Sequence, residues 1–411
     1  MPLAVYVLGM AIFAQGTSEL MLAGLLPGMA DDLGVSVPDT GLLISAFAIG
    51  MLLGAPVLAV LTRRWPHRRA LHAFLAAFAA AHAVGALTSD YRVLFATRVV
   101  GAFVYAGFWA VAAATAIRLV PANARGKAMG IVAGGLTVAA IVGLPAGTVI
   151  GQHLGWRAAF WTVAAMSVIA MAGVAATIPA GRPDGDVPRI RDELRAVAVP
   201  RLWLLYGTIA LATSGLMVTF SYLGALLEET TRIAEAWVPA VLALYGAGAL
   251  IGITAGGRTA DARGVPTLYA GFGGLVLVSV ALALTAGSPA PAVALVFLLG
   301  LVGFATNPTL NSRGFGMVAE RSSSFDGGGR GLEDGGSAAL VAAGNVVAFN
   351  IGITAGPWLG GLAIDAGAGL SSTAWIGAVL GALALGAVAL GQRRERTAAA
   401  VGRRARPRVN A

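Results

Sequence analysis

Two charged side chains stand well inside apolar runs of this chain: Glu19, within FAQGTSELMLAGLLPGM (13–29), and Arg98, within the run 93–118. A charge at the centre of a bilayer costs at least about 2.5–3.5 kcal/mol, so such residues face a polar cavity and mark ion or substrate paths. A carboxylate in that setting can take up and release a proton as desolvation, water and a nearby cation alternate around it. At about 1.5 Å per helical residue, Glu19 lies roughly 12 Å and Arg98 roughly 9 Å below the outer ends of their runs, which is a shared depth. A proton-coupling pair is one reading. A static ion pair, or a carboxylate at a wet cavity mouth, is the other.

A second set of residues could line a cavity for a mostly apolar ligand carrying a few hydrogen-bonding groups. These are Tyr105 and Trp109 in the fourth run, Phe220 and Tyr222 in the seventh, and Asn345 and Asn350 in the eleventh. Each could instead serve packing or anchor the helix at the interface. Other chemistries find no support. No Gly-x-x-x-x-Gly-Lys-Ser/Thr phosphate loop is present, and the four histidines show neither metal-ligand spacing nor a Ser-His-Asp arrangement. Cysteine is absent, which removes disulfides, thiolate metal sites and cysteine nucleophiles. No enzyme activity, metal or cofactor is expected.

The elements that must hold these residues are membrane helices. The chain of 411 residues is 57% hydrophobic, 11% charged, and has a mean hydropathy of +0.81, whereas soluble domains are about 25% charged. Apolar stretches long enough to cross about 30 Å of hydrocarbon fall at 4–27, 39–61, 70–88, 93–118, 128–151, 158–179, 202–227, 237–257, 267–287, 290–318, 337–363 and 370–391. In lipid each must be helical, because its backbone polar groups find partners only within their own segment. The expectation is an all-α integral membrane protein of twelve spans. Residues 1–179 form one six-helix half, 180–201 a charged linker, 202–391 the second half, and 392–411 a basic tail. Met1–Val5 lacks the basic region of a cleaved signal peptide, so the first span is expected to be retained.

Placing both termini in the cytoplasm puts 24 of the 28 Lys and Arg residues on that side, as the positive-inside rule asks. The net charge of +9 therefore reads as a topology signal and not as a nucleic-acid surface. The halves also echo one another. A short basic connector follows the second span (AVLTRRWPHRR, 59–69, with Arg64) and the eighth (GRTADARG, 257–264, with Asp261 and Arg263). Gly143, Pro145 and Gly147 in span five correspond to Gly356, Pro357 and Gly360 in span eleven. Residues 321–336, RSSSFDGGGRGLEDGG, read as an extra cytoplasmic loop in the second half.

These features together resemble the major facilitator superfamily, in particular its twelve-helix drug:proton antiporters, over essentially the whole chain. GRTADARG fits that family's Gly-x-x-x-Asp-x-x-Gly loop at Asp261, and GITAGPWLGG (352–361) fits its Gly-x-x-x-Gly-Pro-x-x-Gly-Gly pattern. GLPAGTVIGQHLGWR (143–157) is a looser counterpart, and the arginine of the family's span-four motif falls on Arg98. FAQGTSELMLAGLLPGMADDLGVS is similar to the first span of actinobacterial chloramphenicol exporters and of related sugar and nucleoside exporters. MPLAVYVLG and VGAFVYAGFWAVA tilt the resemblance toward the chloramphenicol branch. Three departures stand out. Arg63 and Pro66 replace the family's acidic residue and glycine in the first-half loop, Gly101 sits one residue early, and span ten with its following loop diverges.

The resemblance implies alternating-access export of an amphiphilic drug, chloramphenicol above all, in exchange for protons, by a monomer in a bacterial plasma membrane. The partners it implies are the drug, protons and the lipid bilayer. A sugar or nucleoside exporter of the same fold is the alternative, and a receptor that binds without transporting is a more distant one.

Overall fold

The computed structural model describes residues 1–62, 65–180, 200–314 and 335–404. Twelve helices in it are long and apolar enough to cross a membrane: α1 Leu3–Gly24, α2 Val37–Leu58, α3 His67–Leu87, α4 Tyr91–Arg118, α5 Arg125–Leu154, α6 Trp156–Thr177, α7 Leu202–Ser221, α8 Glu235–Ala260, α9 Gly264–Thr285, α10 Pro289–Gly314, α11 Gly344–Ala368 and α12 Ser372–Arg393. Each overlaps one of the runs expected from hydropathy, and no strand occurs among the described residues. Most of the linker (181–199), the glycine-rich segment (321–334) and Arg64 lie outside the described residues. Helical backbone continues from α12 to Arg404, so the first part of the expected tail extends the last helix.

Local sequence explains where the helices depart from regularity. α1 is α-helical only to Leu20 and tightens into a 3₁₀ turn at Met21–Gly24. A separate helix, Leu26–Leu33, then begins with Pro27 in its first turn and ends at Gly34, whose φ of 64° only glycine adopts freely. The first apolar run is thus two helical pieces, and Glu19 stands at the end of the first. α2 opens on a capping box in which Ser36 and Asp39 satisfy one another's backbone amides.

In α5 the five residues before Leu144, Ala139–Gly143, form a π turn. Pro145 follows immediately, has no N–H to donate and would crowd the carbonyl four residues earlier in a regular helix, so a widened turn relieves it. Pro357 sits within the corresponding helix of the second half.

Helical backbone also runs through the connector between α8 and α9, over Val238–Thr285, but the chain reverses direction inside it. Thr267 Oγ1 donates to Thr259 Oγ1 at 2.9 Å, whereas eight residues of straight helix would hold the two about 12 Å apart. Gly252 and Gly274 also pack against neighbouring residues of α10, Leu301 and Val302. The turn expected at 257–264 is there, tightly wound.

Packing repeats between the halves. α5 lies on α1, with Gly9 against Ile131, Gly143 against Thr17 and Gly147 against Met21. α11 lies on α7 in the same way, with Gly352 against Ala210, Gly356 against Val218 and Gly360 against Tyr222. α2 approaches α4 through Gly50 and Gly54, and α8 approaches α10 through Gly248, Gly252 and Gly256, each glycine meeting a backbone carbonyl. Membrane helices associate through close van der Waals contact of this kind, since lipid supplies no hydrophobic drive between them. Across the halves, α2 packs on α11 and α5 on α8.

Candidate functional site

Between the halves lies a cavity of about 570 Å³, within the range that holds a drug-sized ligand. The first half contributes Glu19, Leu20, Trp109, Gly130, Gly134, Thr137 and Ala140 to its wall. The second contributes Thr213, Leu216, Met217, Ile253, Phe304, Thr306, Asn307, Asn311, Phe349 and Ile353. Glu19 is the only ionisable side chain on that wall among the described residues. Thr306 and Asn307 line it at the point where the α-helical run of α10 pauses.

The cavity is closed at one end. There the halves touch through Gly24 and Leu242, Gly224 and Ala23, Gly41 and Tyr222, and Gly361 and Pro38. Near mid-depth Ser45 Oγ donates to Thr354 O at 2.8 Å, and Gly246 of α8 sits against the backbone of Ala140 and Ile141. Toward the other end the same two helices part. Gly126, Gly130 and Gly134 of α5 have nothing within 4 Å of where a Cβ would stand, while Gly130 and Gly134 of α5 and Ile253 of α8 face the cavity. The interface is a wedge, open at the end that carries the α4–α5 connector and the end of α10.

Glu19 is partly exposed to the cavity, and Arg98 is buried at 2% exposure beside it, within its electrostatic reach. The two do not form a direct ion pair, unlike Arg157 and Asp32, which do. Arg98 instead donates from Nη1 to Ser18 Oγ at 2.7 Å and from Nη2 to Ser18 O at 3.1 Å. Its guanidinium lies 4.4 Å from the centre of the Phe47 ring, which repays part of its desolvation.

Of the six residues expected to line a binding cavity, Trp109 lies on the wall. Tyr105 is buried behind it and accepts a hydrogen bond from Trp109 Nε1 at 3.2 Å. Asn345 supports the wall from behind, donating through Nδ2 to Asn311 Oδ1 at 2.9 Å. Phe220 stacks on Tyr245 with ring centres 4.6 Å apart. Tyr222 donates its hydroxyl to Pro357 O at 2.8 Å, tying α7 to the proline of α11. Asn350 bonds to its own helix at Val346 O. Among the conformational positions, Gly143, Pro145, Gly147, Gly356, Pro357 and Gly360 sit at the helix crossings and bends described above. Asp261 and Arg263 lie on helical backbone, their side chains outside the described ones.

Several site residues escaped the sequence reading. Asn307 and Asn311 were hidden in the divergent tenth span. Gln15, one turn before Glu19, is fully buried with neither amide atom hydrogen-bonded. His82 adds a basic side chain deep in a span to Glu19 and Arg98. It is 3% exposed, in α3, and its signal was an imidazole centred in an apolar run, irrespective of any ligand spacing.

The closed end carries its own polar cluster. Asp32 pairs with Arg157 and accepts from Trp156 Nε1 at 3.0 Å. The hydrogen bond from Arg157 holds its carboxyl below the usual carboxylate range. Glu228, on the π turn Leu226–Thr230 that follows α7, is pushed up to about 7 by burial first and then by Glu235 and Glu229.

Twelve helices in two similarly packed halves around a central cleft are the architecture of a secondary transporter. The family model described as Major Facilitator Superfamily matches residues 8–325, and the chain belongs to that family. It is 41% identical over 389 residues to a chloramphenicol resistance protein of Streptomyces lividans, covering 94% of this chain and 95% of that one. It is 30% identical to the inner membrane transport protein YdhP of Escherichia coli (strain K12), covering 94% and 95% respectively. In fold it is similar to a bacterial homologue of the human lysosomal transporter Spinster, solved inward-facing and unoccupied, with a TM-score of 0.71 and 18% identity over 95% of this chain and 96% of that one.

Proposed function

We propose that this transporter exports an amphiphilic drug, chloramphenicol or a related phenicol, in exchange for protons, and that Glu19 is the group that carries the proton. The observation that carries the reading is a drug-sized, largely apolar cavity with a single ionisable side chain among the described residues of its wall. The name of the Streptomyces lividans relative supports the choice of cargo. Such a drug joins an aromatic ring to hydroxyl and amide groups and bears no charge. Trp109, Phe304 and Phe349 suit the ring, while Asn307, Asn311 and the carboxylate suit the polar groups.

Both termini lie in the cytoplasm in this reading, because the open end of the wedge carries the connectors where Lys and Arg concentrate. Residues 1–179 and 202–391 then rock against each other as two bodies joined by the linker 180–201, and one chain suffices. Drug enters from the cytoplasm while Glu19 is ionised and accepts a hydrogen bond from it. After the halves rock outward, a proton neutralises the carboxylate and weakens its hold on the drug. Loss of that proton to the cytoplasm resets the cavity.

The test is chloramphenicol susceptibility of a sensitive host expressing the chain, with and without a collapsed proton gradient, followed by proton-driven transport in inverted vesicles. Resistance that ignores the gradient, or a Glu19→Gln variant that transports as well as the parent, overturns the reading.

A further inference from the structure

The Ser18 hydroxyl that receives Arg98 has a third neighbour. Ser18 Oγ lies 2.5 Å from Nε2 of His82, and Nδ1 of His82 lies 2.8 Å from the carbonyl oxygen of Phe78. All three side chains are buried, Ser18 at 0%, Arg98 at 2% and His82 at 3% exposure. Phe78 and Phe160 flank the imidazole with ring centres 4.2 and 5.5 Å away.

Donor and acceptor roles follow from which groups can only accept or only donate. The Phe78 carbonyl can only accept, so Nδ1 carries the hydrogen. In the neutral imidazole Nε2 is then a lone pair, which takes the Ser18 hydroxyl proton. Arg98 can only donate, and it donates to the oxygen lone pair that the oriented hydroxyl leaves facing it. A doubly protonated imidazole would instead donate to Ser18 from one side while Arg98 donates from the other, with two cations on one hydroxyl. The chain of hydrogen bonds runs in one direction, from Arg98 through Ser18 and His82 to Phe78 O.

We infer that His82 is a positioning residue for the transport site: through Ser18 it holds the Arg98 guanidinium off the Glu19 carboxylate and leaves that carboxylate free to exchange its proton with the cavity. This deepens the export reading and rests on it for its consequence in transport. Without the imidazole lone pair, the Ser18 hydroxyl can rotate and compete for its own oxygen's neighbours. Arg98, whose Nε already lacks an acceptor, then gains by moving to the adjacent carboxylate.

The experiment uses the full chain in proteoliposomes, with chloramphenicol as cargo and dicyclohexylcarbodiimide as a probe of Glu19. This reagent labels a protonated carboxyl in an apolar setting and spares an ion-paired carboxylate. His82→Leu is expected to slow labelling of Glu19, read by mass spectrometry, and to lower transport turnover about 10- to 100-fold with little change in KM, the scale of a misplaced site group. His82→Gln, whose side-chain oxygen can accept from Ser18, is expected to restore both.

Ser18→Ala is a smaller change that should repeat the His82→Leu effect if that variant fails to fold. Wild-type labelling and turnover in His82→Leu, or in Ser18→Ala where His82→Leu is not folded, overturns the inference. A wild-type chain that carries no drug overturns the export reading, and the labelling rates still decide the role of His82.

Discussion

The two halves repeat each other's packing but not each other's chemistry. α5 meets α1 through Gly143 and Gly147 as α11 meets α7 through Gly356 and Gly360, so the same close approach of backbones builds both. Inside them the polar residues differ in kind. The first half buries Ser18, His82 and Arg98 in one hydrogen-bonded cluster beside Glu19 on the cavity wall, whereas the described cavity wall of the second half holds only neutral groups, among them Asn307, Asn311 and Thr213. A scaffold can be duplicated because packing asks only for small residues at set intervals. A charge that must change state needs its own buried supports, and one set of them is enough. On the export reading proposed above, the difference would place proton exchange in the first half and cargo recognition in both.

The largest expected effect breaks the division at its source. Glu19→Gln should lower proton-driven drug transport by about 100-fold or more, the scale seen when a proton-transferring group is removed, while the folded yield in detergent stays near that of the parent. Matched packing changes come next and test the likeness of the halves. Gly147→Leu and Gly360→Leu each drive a side chain into Met21 or Tyr222, and overpacking of this sort costs about 1–3 kcal/mol. Similar drops in melting temperature for the two are expected, and a drop in only one half would break the structural half of the comparison.

Asn311→Ala should raise KM about fivefold, one neutral hydrogen bond's worth, and leave the dependence on the proton gradient intact. A chloramphenicol and sugar panel on this variant sharpens the same point, since loss of sugar transport alone would give the wall a different cargo.

The smallest effect concerns the closed end, where Asp32 is paired with Arg157 and Glu228 is not paired. Glu228 titrates higher folded than free, so its ionisation opposes folding: its contribution is fully present below the ordinary carboxylate range and is lost as pH rises through about 7. Asp32 has the opposite sign, since its lowered value gives stability above the carboxylate range that is lost only in acid. Melting curves of Glu228→Gln should therefore lose a small decline between pH 5 and 8 that the parent shows.

All twelve spans were legible because a membrane helix needs about 20 apolar residues in sequence, and that requirement is local. Glu19 and Arg98 were legible for the same reason, as exceptions to it. His82 was not, because an imidazole breaks an apolar run less sharply than a full charge, and its partners Ser18 and Arg98 are 64 residues or less away in chain but on other helices. Aromatic residues misled for a converse reason. Phe220 and Tyr222 look suited to a cavity by type, yet side-chain direction around a helix decides whether they face it, and a uniformly apolar span carries no periodicity from which to read direction. Asn311 lies in α10, the span whose sequence diverges, and only the assembled cavity shows that it faces inward.

The meeting of Gly246 with the bare backbone at Ala140 and Ile141 has a mechanical consequence. No side chain from α8 interlocks with α5 at that point, so one half can roll on the other there without any rotamer having to be withdrawn and reseated. Contact area is exchanged gradually, and the resistance to turning is set elsewhere, by the close glycine contacts at the closed end. A bulky residue at 246 would act as a tooth in a smooth bearing.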